Sequence, residues 1–248
     1  MKYRMASDVG KIRKNNEDYC KGEVIETKDG EIGIFAIADG MGGHKKGEVA
    51  SKLAVENIIK FLKDNLVQHD NVKLSYITDI LKQAYNDVNT IIYNRSKVDS
   101  ECEGMGTTLT TAVVYKNIIY IGNVGDSRCY ICENNSIEQI TKDHSLVEEL
   151  VEKNMITKEE ARKHPQRNVI TRALGTDKIV IVDIFEKNIE NESRILLTTD
   201  GLTNYITKNQ MEEIVLSDEN IEKACEKLIK TANDTAGRDN ISVIYITI

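Results

Sequence analysis

No apolar run in this 248-residue chain approaches the length of a membrane span. The first residues, Met1-Lys2-Tyr3-Arg4-Met5-Ala6-Ser7-Asp8, carry charge with no apolar signal region behind them, so the cytosol is the expected location. Proline occurs once, at Pro165, and there is no Pro/Gly/Ser linker, low-complexity tract or repeat. One domain over residues 1–248 is expected. An excess of positive charge is also missing. With 33 Lys and Arg against 40 Asp and Glu, the formal charge is −7, which argues against generic binding to nucleic acid or an anionic membrane. The five cysteines (Cys20, Cys102, Cys129, Cys132, Cys225) are odd in number and scattered, fitting reduced thiols better than a disulfide framework. Cys129 and Cys132 have C-x-x-C spacing but sit in a strand-like run, where an odd separation points them to opposite faces. A nucleotide-binding P-loop is excluded on spacing, because Gly42 to Gly47 is followed by Glu48-Val49 and not by Lys-Ser/Thr. No exposed apolar heptad calls for a dimer, so a monomer is expected.

What is present is an ordinary globular composition, 40% hydrophobic and 29% charged. Strands are expected at 19–27 and 31–38 around Asp29-Gly30, a two-residue hairpin signal. Helices follow at about 45–66 and 74–96. The first has Ala50, Leu53, Ala54, Ile58, Phe61 and Leu62 on one face, and the second has Ile77, Leu81, Tyr85, Val88, Ile91 and Ile92 at helical spacing. Each has a single apolar stripe and should cover a sheet. Four short strands are expected at 107–115, 118–124, 127–133 and 136–140, with turns at Lys116-Asn117 and Asn134-Asn135. A helical insert at about 145–165 carries two capping boxes, Ser145 with Glu148 and Thr157 with Glu160. Strands at 179–187 and 193–199, helices near 208–215 and 218–233, and a strand at 241–248 complete the chain. Hairpins with separate helix pairs indicate α+β with antiparallel sheets, not a βαβ nucleotide fold.

Four aspartates stand where apolar strand runs begin or end: Asp18, Asp39, Asp200 and Asp239. Antiparallel neighbours put one strand's start beside the next strand's end, so all four can share one edge. With Asp29-Gly30 as the hairpin loop, Cys20 faces Asp39 and Asp18 lies roughly 7 Å from Asp39. Carboxylates that close repel unless a cation sits between them. Oxygen ligands without thiolate or imidazole point to Mg²⁺, Mn²⁺ or Ca²⁺ rather than zinc. Any one of these aspartates alone reads as a turn residue; the set does not. A fifth, Asp126 in Gly122-Asn123-Val124-Gly125-Asp126-Ser127-Arg128, falls opposite Asp143 if Asn134-Asn135 is the hairpin tip.

Eight ordered segments then carry a resemblance. They are Ser7-Asp8-Val9-Gly10 with Arg13, Asn16, Glu17 and Asp18; Ala38-Asp39-Gly40-Met41-Gly42-Gly43-His44; Gly104-Met105-Gly106-Thr107-Thr108; Gly122 to Arg128; Asp143-His144-Ser145; His164 to Gly175; Thr199-Asp200-Gly201-Leu202; and Gly237-Arg238-Asp239-Asn240. In this order they resemble the metal-dependent protein phosphatases of the phosphatase 2C type, most of all the bacterial members, over nearly the whole chain. The resemblance implies an α-β-β-α sandwich: two packed antiparallel sheets flanked by pairs of antiparallel helices, with a helical flap at about 143–175. It implies two Mn²⁺ or Mg²⁺ ions held by Asp39, the Gly40 carbonyl, Asp200 and Asp239, with Asp18 and Glu17 acting directly or through water. Asp126 with Asp200 matches the positions of a third ion. Arg13 matches the arginine that grips phosphate, for which its planar fork is suited. The implied reaction is direct hydrolysis of phosphoserine and phosphothreonine by a water between two metals. Phosphorylated proteins, with a partner Ser/Thr kinase and its targets, are the expected partners.

One departure concerns the leaving group's proton. Met41 stands where some members of the family have histidine; His44 is the candidate donor, with a helix N-terminal role lacking chemistry as the alternative, and water on a third metal as another source. His144 and His164 are expected to be structural, and His69 a solvated helix-end residue. Two rivals stay open on the residues: a metal-dependent nuclease, which would want a basic track, and an inactive phosphatase fold acting as a binding module, which would have lost a metal carboxylate.

Overall fold

The computed structural model describes residues 1–42, 46–66, 74–217 and 220–248. In chain order these form β1 (Lys2–Asp8), β2 (Asp18–Thr27), β3 (Gly30–Met41), α1 (Gly47–Leu66), α2 (Leu74–Val98), β4 (Gly106–Thr107), β5 (Leu109–Tyr115), β6 (Ile118–Val124), β7 (Arg128–Glu133) and β8 (Ser136–Gln139). Then come α3 (Leu146–Glu152), α4 (Lys158–Lys163), β9 (Asp183–Asn188), β10 (Arg194–Thr198), α5 (Asp200–Thr203), α6 (Lys208–Ser217), α7 (Ile221–Thr235) and β11 (Ile241–Thr247). One sheet has the order β1-β11-β10-β7-β8 and the other β2-β3-β5-β6-β9, with β4 added beside β3. Every pairing is antiparallel.

The alternation of side chains along each strand explains the layers. On β3, Ile32, Ile34, Ala36 and Ala38 face α1 and α2, while Phe35 and Ile37 face the other sheet. On β11, Val243 and Tyr245 meet α7, while Ile244 and Ile246 point into the space between sheets. Strands buried on both faces read as continuous apolar runs, which is how these central strands stand out in the sequence. Cys129 belongs to the inter-sheet core and Cys132 to the core under α6 and α7, so period-2 geometry separates them as expected. The result is the α-β-β-α sandwich.

Several expectations need correction. The first hairpin turns one residue earlier than Asp29-Gly30: Thr27 pairs with Gly30, leaving Lys28-Asp29 as the loop. Gly30 has φ +118, a conformation open to glycine, and the Thr27 hydroxyl donates to the Gly30 carbonyl at 2.6 Å. Asp18 therefore faces Asp39 directly. The strand β1 was not foreseen; it is an edge strand paired with β11, with alternate residues exposed. Residues 179–182 precede β9 without joining it. Ile91, assigned to the apolar stripe of α2, is 41% exposed. The Thr157–Glu160 capping box is complete, whereas Ser145 accepts from the Glu148 N–H without the reciprocal bond. The Asn134-Asn135 tip is as expected, both residues at positive φ, and Tyr130 pairs with Gln139 in the counted register.

Residues 143–175 leave and rejoin the body at a neck, where Thr107 and Leu174 exchange backbone hydrogen bonds and the His144 N–H donates to the Gly125 carbonyl. Leu146 N–H donates to the Val169 carbonyl and Thr171 N–H to the His144 carbonyl, both at 2.8 Å. Beyond the neck lie α3 and α4, which pack on each other.

Candidate active site

The aspartates gather at one end of the sandwich, contributed by both sheets rather than by the single edge anticipated. Asp18 and Asp39 are register partners at the end of β2 and β3. Asp200 follows β10 as the first residue of α5, and Asp239 stands two residues before β11. Asp126 lies in the link that carries the chain from β6 in one sheet to β7 in the other. Hydrogen bonds tie the two sheets at this end: the Thr199 hydroxyl donates to Asp18 Oδ2 at 2.8 Å, and the Thr110 hydroxyl donates to the Ser127 carbonyl at 3.0 Å.

Main-chain contacts hold the ring in place. The Asp39 N–H donates to Thr108 Oγ1 at 2.8 Å, and its carbonyl accepts from the Thr108 N–H and the Thr107 hydroxyl, both at 2.9 Å. This gives Thr107-Thr108 a mechanical reason to exist, and it leaves the Asp39 carboxylate unused by its own backbone. Gly40 N–H donates to the Glu17 carbonyl at 3.0 Å. A Cβ on Gly40 would stand 2.0 Å from the Gly47 carbonyl oxygen, so only glycine lets the start of α1 approach here. Asn240 is the organiser that sequence reading missed. Its Nδ2 donates to the carbonyls of Val9 and Asn15, and its Oδ1 accepts from the Glu17 N–H at 2.8 Å. The loop bearing Arg13 is thereby fixed to the segment bearing Asp239. Nothing in the local sequence around Asn240 announces partners more than 220 residues away.

The electrostatics are those of like charges forced together. Burial pushes the Asp18 carboxyl up to about 7, against hydrogen bonds from Ser242 and Thr199, with Asp200 and Asp239 adding to the rise. Burial and then Asp18, Asp200, Asp126 and Asp239 raise Asp39 well above the usual carboxylate range. Asp126 is raised by burial, Asp200 and Asp143, and Asp200 goes up to about 6 through burial and Asp239. Glu17 is raised by burial, with Arg13 opposing and Glu48 adding to the rise. Two oxygens, Asp18 Oδ1 and Asp200 Oδ1, are buried with no hydrogen-bond partner among the described residues. Orphaned buried carboxylate oxygens amid mutual repulsion call for cations. Among the described residues no three His, Cys, Asp or Glu side chains form a closed ion cage by themselves. A magnesium-like ion does not require one, since it keeps several waters and takes only one or two carboxylates. The donor set therefore fits hard divalent cations.

Arg13 lies at the mouth, its side chain 48% exposed, with Nη2 3.1 Å from Oδ2 and 3.0 Å from Oδ1 of Asp239. Asp143 is not part of the ring: Arg128 holds it with Nε and Nη2 at 2.9 and 2.6 Å. His144 proves structural. Its Nδ1 accepts the Gly125 N–H at 3.0 Å, so the proton sits on Nε2, 3.1 Å from Asp183 Oδ2. Arg172 in turn donates to Asp183 Oδ1 at 2.7 Å. This trio, His144 buried and Arg172 and Asp183 half-buried, joins the flap neck to the residue before Asp126, and no sequence signal connected Asp183 to it. His44 and His69 lie outside the described residues.

With that geometry established, the family is decided by comparison. The protein phosphatase 2C profile matches residues 4–241. The chain belongs to the protein phosphatase 2C family. The serine/threonine phosphatase stp of Listeria welshimeri is 39% identical over 240 residues, covering 97% of this chain and 93% of its own. Serine/threonine phosphatase Stp1 from Staphylococcus aureus is 36% identical at a TM-score of 0.88, with 99% of this chain and 94% of that one covered. The catalytic domain of PstP, solved in complex with 2 manganese ions, is 31% identical at a TM-score of 0.84, with coverage of 100% and 98%. As a phosphatase 2C this protein is a protein phosphatase dependent on Mn²⁺ or Mg²⁺.

Proposed function

We propose that this phosphatase 2C hydrolyses phosphoserine and phosphothreonine in proteins and reverses the action of a partner Ser/Thr kinase. The observation that carries the reading is the ring of repelling carboxylates, two of whose buried oxygens lack partners, at the end of this sandwich. Asp39, the Gly40 carbonyl, Asp200 and Asp239 would hold two Mn²⁺ or Mg²⁺ ions. Asp126 with Asp200 would hold a third, and Asp18 and Glu17 would act directly or through water. When bound, the ions supply Lewis acidity, offsetting charge on phosphoryl oxygens and lowering the pKa of water toward neutrality.

The chain's own residues do the rest. The Arg13 fork orients and neutralises the phosphate, and Asp239 holds that fork at the mouth. His44 is our candidate for returning a proton to the leaving alkoxide. We assign residues 1–248 to one phosphatase unit with a flap at about 143–175. Five free cysteines support a reducing compartment such as the cytosol, and no described helix is long and apolar enough to cross a membrane.

The reading is tested on a phosphothreonine peptide and an aryl phosphate, with Mn²⁺ and then with chelator. Turnover that chelator abolishes and Mn²⁺ restores is the expected result; chelator-insensitive turnover overturns it. Arg13→Ala should lower kcat/KM on the peptide by about 10- to 100-fold, the worth of a charge-assisted pair of hydrogen bonds at roughly 1.5–3 kcal/mol. Arg13→Lys keeps the charge but not the fork and should recover only part of it. Unchanged kinetics in Arg13→Ala would make Arg13 a surface residue among Lys11 and Lys14.

A further inference from the structure

Beside the carboxylate ring a cleft of about 640 Å³ opens between the flap helix α4 and the α5–α6 segment, with Asp126 and Asp200 of the ring in its lining. Its walls are unusual for a chain of net charge −7. Lys158, Arg162, Arg167 and Lys208 all line it, and none has a side-chain hydrogen bond or ion pair to a described residue. The acids that line the cleft are mostly spoken for. Asp143 is bound to Arg128, Glu138 is paired with Lys187, and Asp126 and Asp200 belong to the ring. That leaves four unpaired cations against Glu148.

Local energetics argue that these cations are not there for the helices. Lys158 and Arg162 are four residues apart on α4, so they share a face and repel. Lys158 and Lys208 are each the first residue of their helix, where the backbone dipole disfavours positive charge. By contrast Lys163, on another face of α4, is matched with Glu159 at 4.0 Å. Three locally unfavourable placements from two separate elements converge on one cleft that leads to the reacting end of the molecule.

We propose that this cleft binds the substrate segment beside the phosphorylated residue and selects for acidic side chains there. The inference rests on the phosphatase reading above and adds to it the class of phosphoprotein: one whose phosphoserine or phosphothreonine has Asp or Glu in its flank. Lys158 and Arg162 on one wall and Lys208 on the other supply the complementary charge, with Arg167 in the same lining. These residues set specificity; the reaction itself belongs to the carboxylate ring and Arg13.

The test uses the full chain with Mn²⁺ and a set of phosphothreonine peptides that carry a single Glu, Gln or Lys at successive flanking positions. At low salt one or more Glu positions should exceed the matching Lys peptide about tenfold in kcat/KM, chiefly through KM, and the ratio should shrink toward one by roughly 0.5 M salt. The double variant Arg162→Glu with Lys208→Glu should erase or invert the ratio, each rate being normalised to that variant's own aryl phosphate turnover. Lys163→Glu, outside the cleft, should leave the ratio alone. Equal rates on Glu and Lys peptides, or a preference surviving in the double variant, overturns the proposal. So does a dimer in sedimentation that the double variant dissociates, since a second copy would then fill the cleft. Failure of the phosphatase reading itself looks different: neither the neutral peptide nor the aryl phosphate is turned over.

Discussion

Asp39→Asn should lower kcat/KM on a phosphothreonine peptide by at least about a thousandfold, roughly 4 kcal/mol of transition-state stabilisation. The substitution is nearly isosteric and spares the backbone bonds to Thr107 and Thr108, which hold Asp39 through its main chain. Asparagine is as good a turn former as aspartate. A purely local role for Asp39 therefore predicts no loss. The second half of the result has the opposite sign. In chelator the variant should melt higher than the wild type, because one of several repelling carboxylates is gone. Relief on the order of 1–2 kcal/mol corresponds to a rise of about 2–8 °C for a domain of this size. Activity lost while metal-free stability is gained is the signature of a ligand. A structural carboxylate would lose both, and a variant that does so removes Asp39 from the metal set.

How far the site could be read from sequence depended on the range of the interactions. Asp18, Asp39, Asp200 and Asp239 were visible because each interrupts an apolar strand run, and strand ends in antiparallel sheets meet. The hairpin count brought Asp18 near Asp39 but misplaced the turn by one residue, since Asp29-Gly30 signals a turn without saying which two residues form its tip. Shifting the loop by one kept both side chains on the same face, which is why the error did not separate them. The Asn134-Asn135 turn was located correctly because both residues must take positive φ and asparagine tolerates it. The edge strand β1 went unseen: Lys2, Arg4 and Asp8 make it look like a polar terminus, and only β11, more than 230 residues away, makes it a strand. Asn240, Thr199 and Asp183 escaped for the same reason. Their partners are distant in sequence, and a lone Asn, Thr or Asp carries no periodic signal. Met41 was legible as a departure, yet what replaces a histidine there is a matter of chemistry rather than pattern.

Without metal, the protein should become less stable as pH rises from about 5 to 8. The sign follows from the direction of the shifts. Asp18 goes up to about 7 and Asp200 to about 6, and Asp39 and Asp126 are raised as well, all with burial as the leading cause. A carboxyl whose folded pKa lies above its unfolded value binds more protons folded than unfolded between the two. Its stabilisation is complete below about pH 4 and is lost as pH climbs through the folded value. His144 opposes this, because burial lowers its pKa and favours the folded state as pH rises past the normal imidazole range; it is one group against five, Glu17 being raised as well. Carboxylates with lowered values, such as Asp183 and Glu23, exert their effect below this window. The net loss should be on the order of a few kcal/mol, a drop in Tm of several degrees in chelator. Divalent cations bind the deprotonated ring, so the rise in Tm on adding Mn²⁺ should be larger at pH 8 than at pH 5. Asp39→Asn should flatten the chelator profile and shrink the Mn²⁺ response together, because both draw on the same repulsion. A metal-free Tm that stays level or climbs across this range would mean that the carboxylates are already neutralised within the protein, and the case for ions at this end of the sandwich would lose its electrostatic basis.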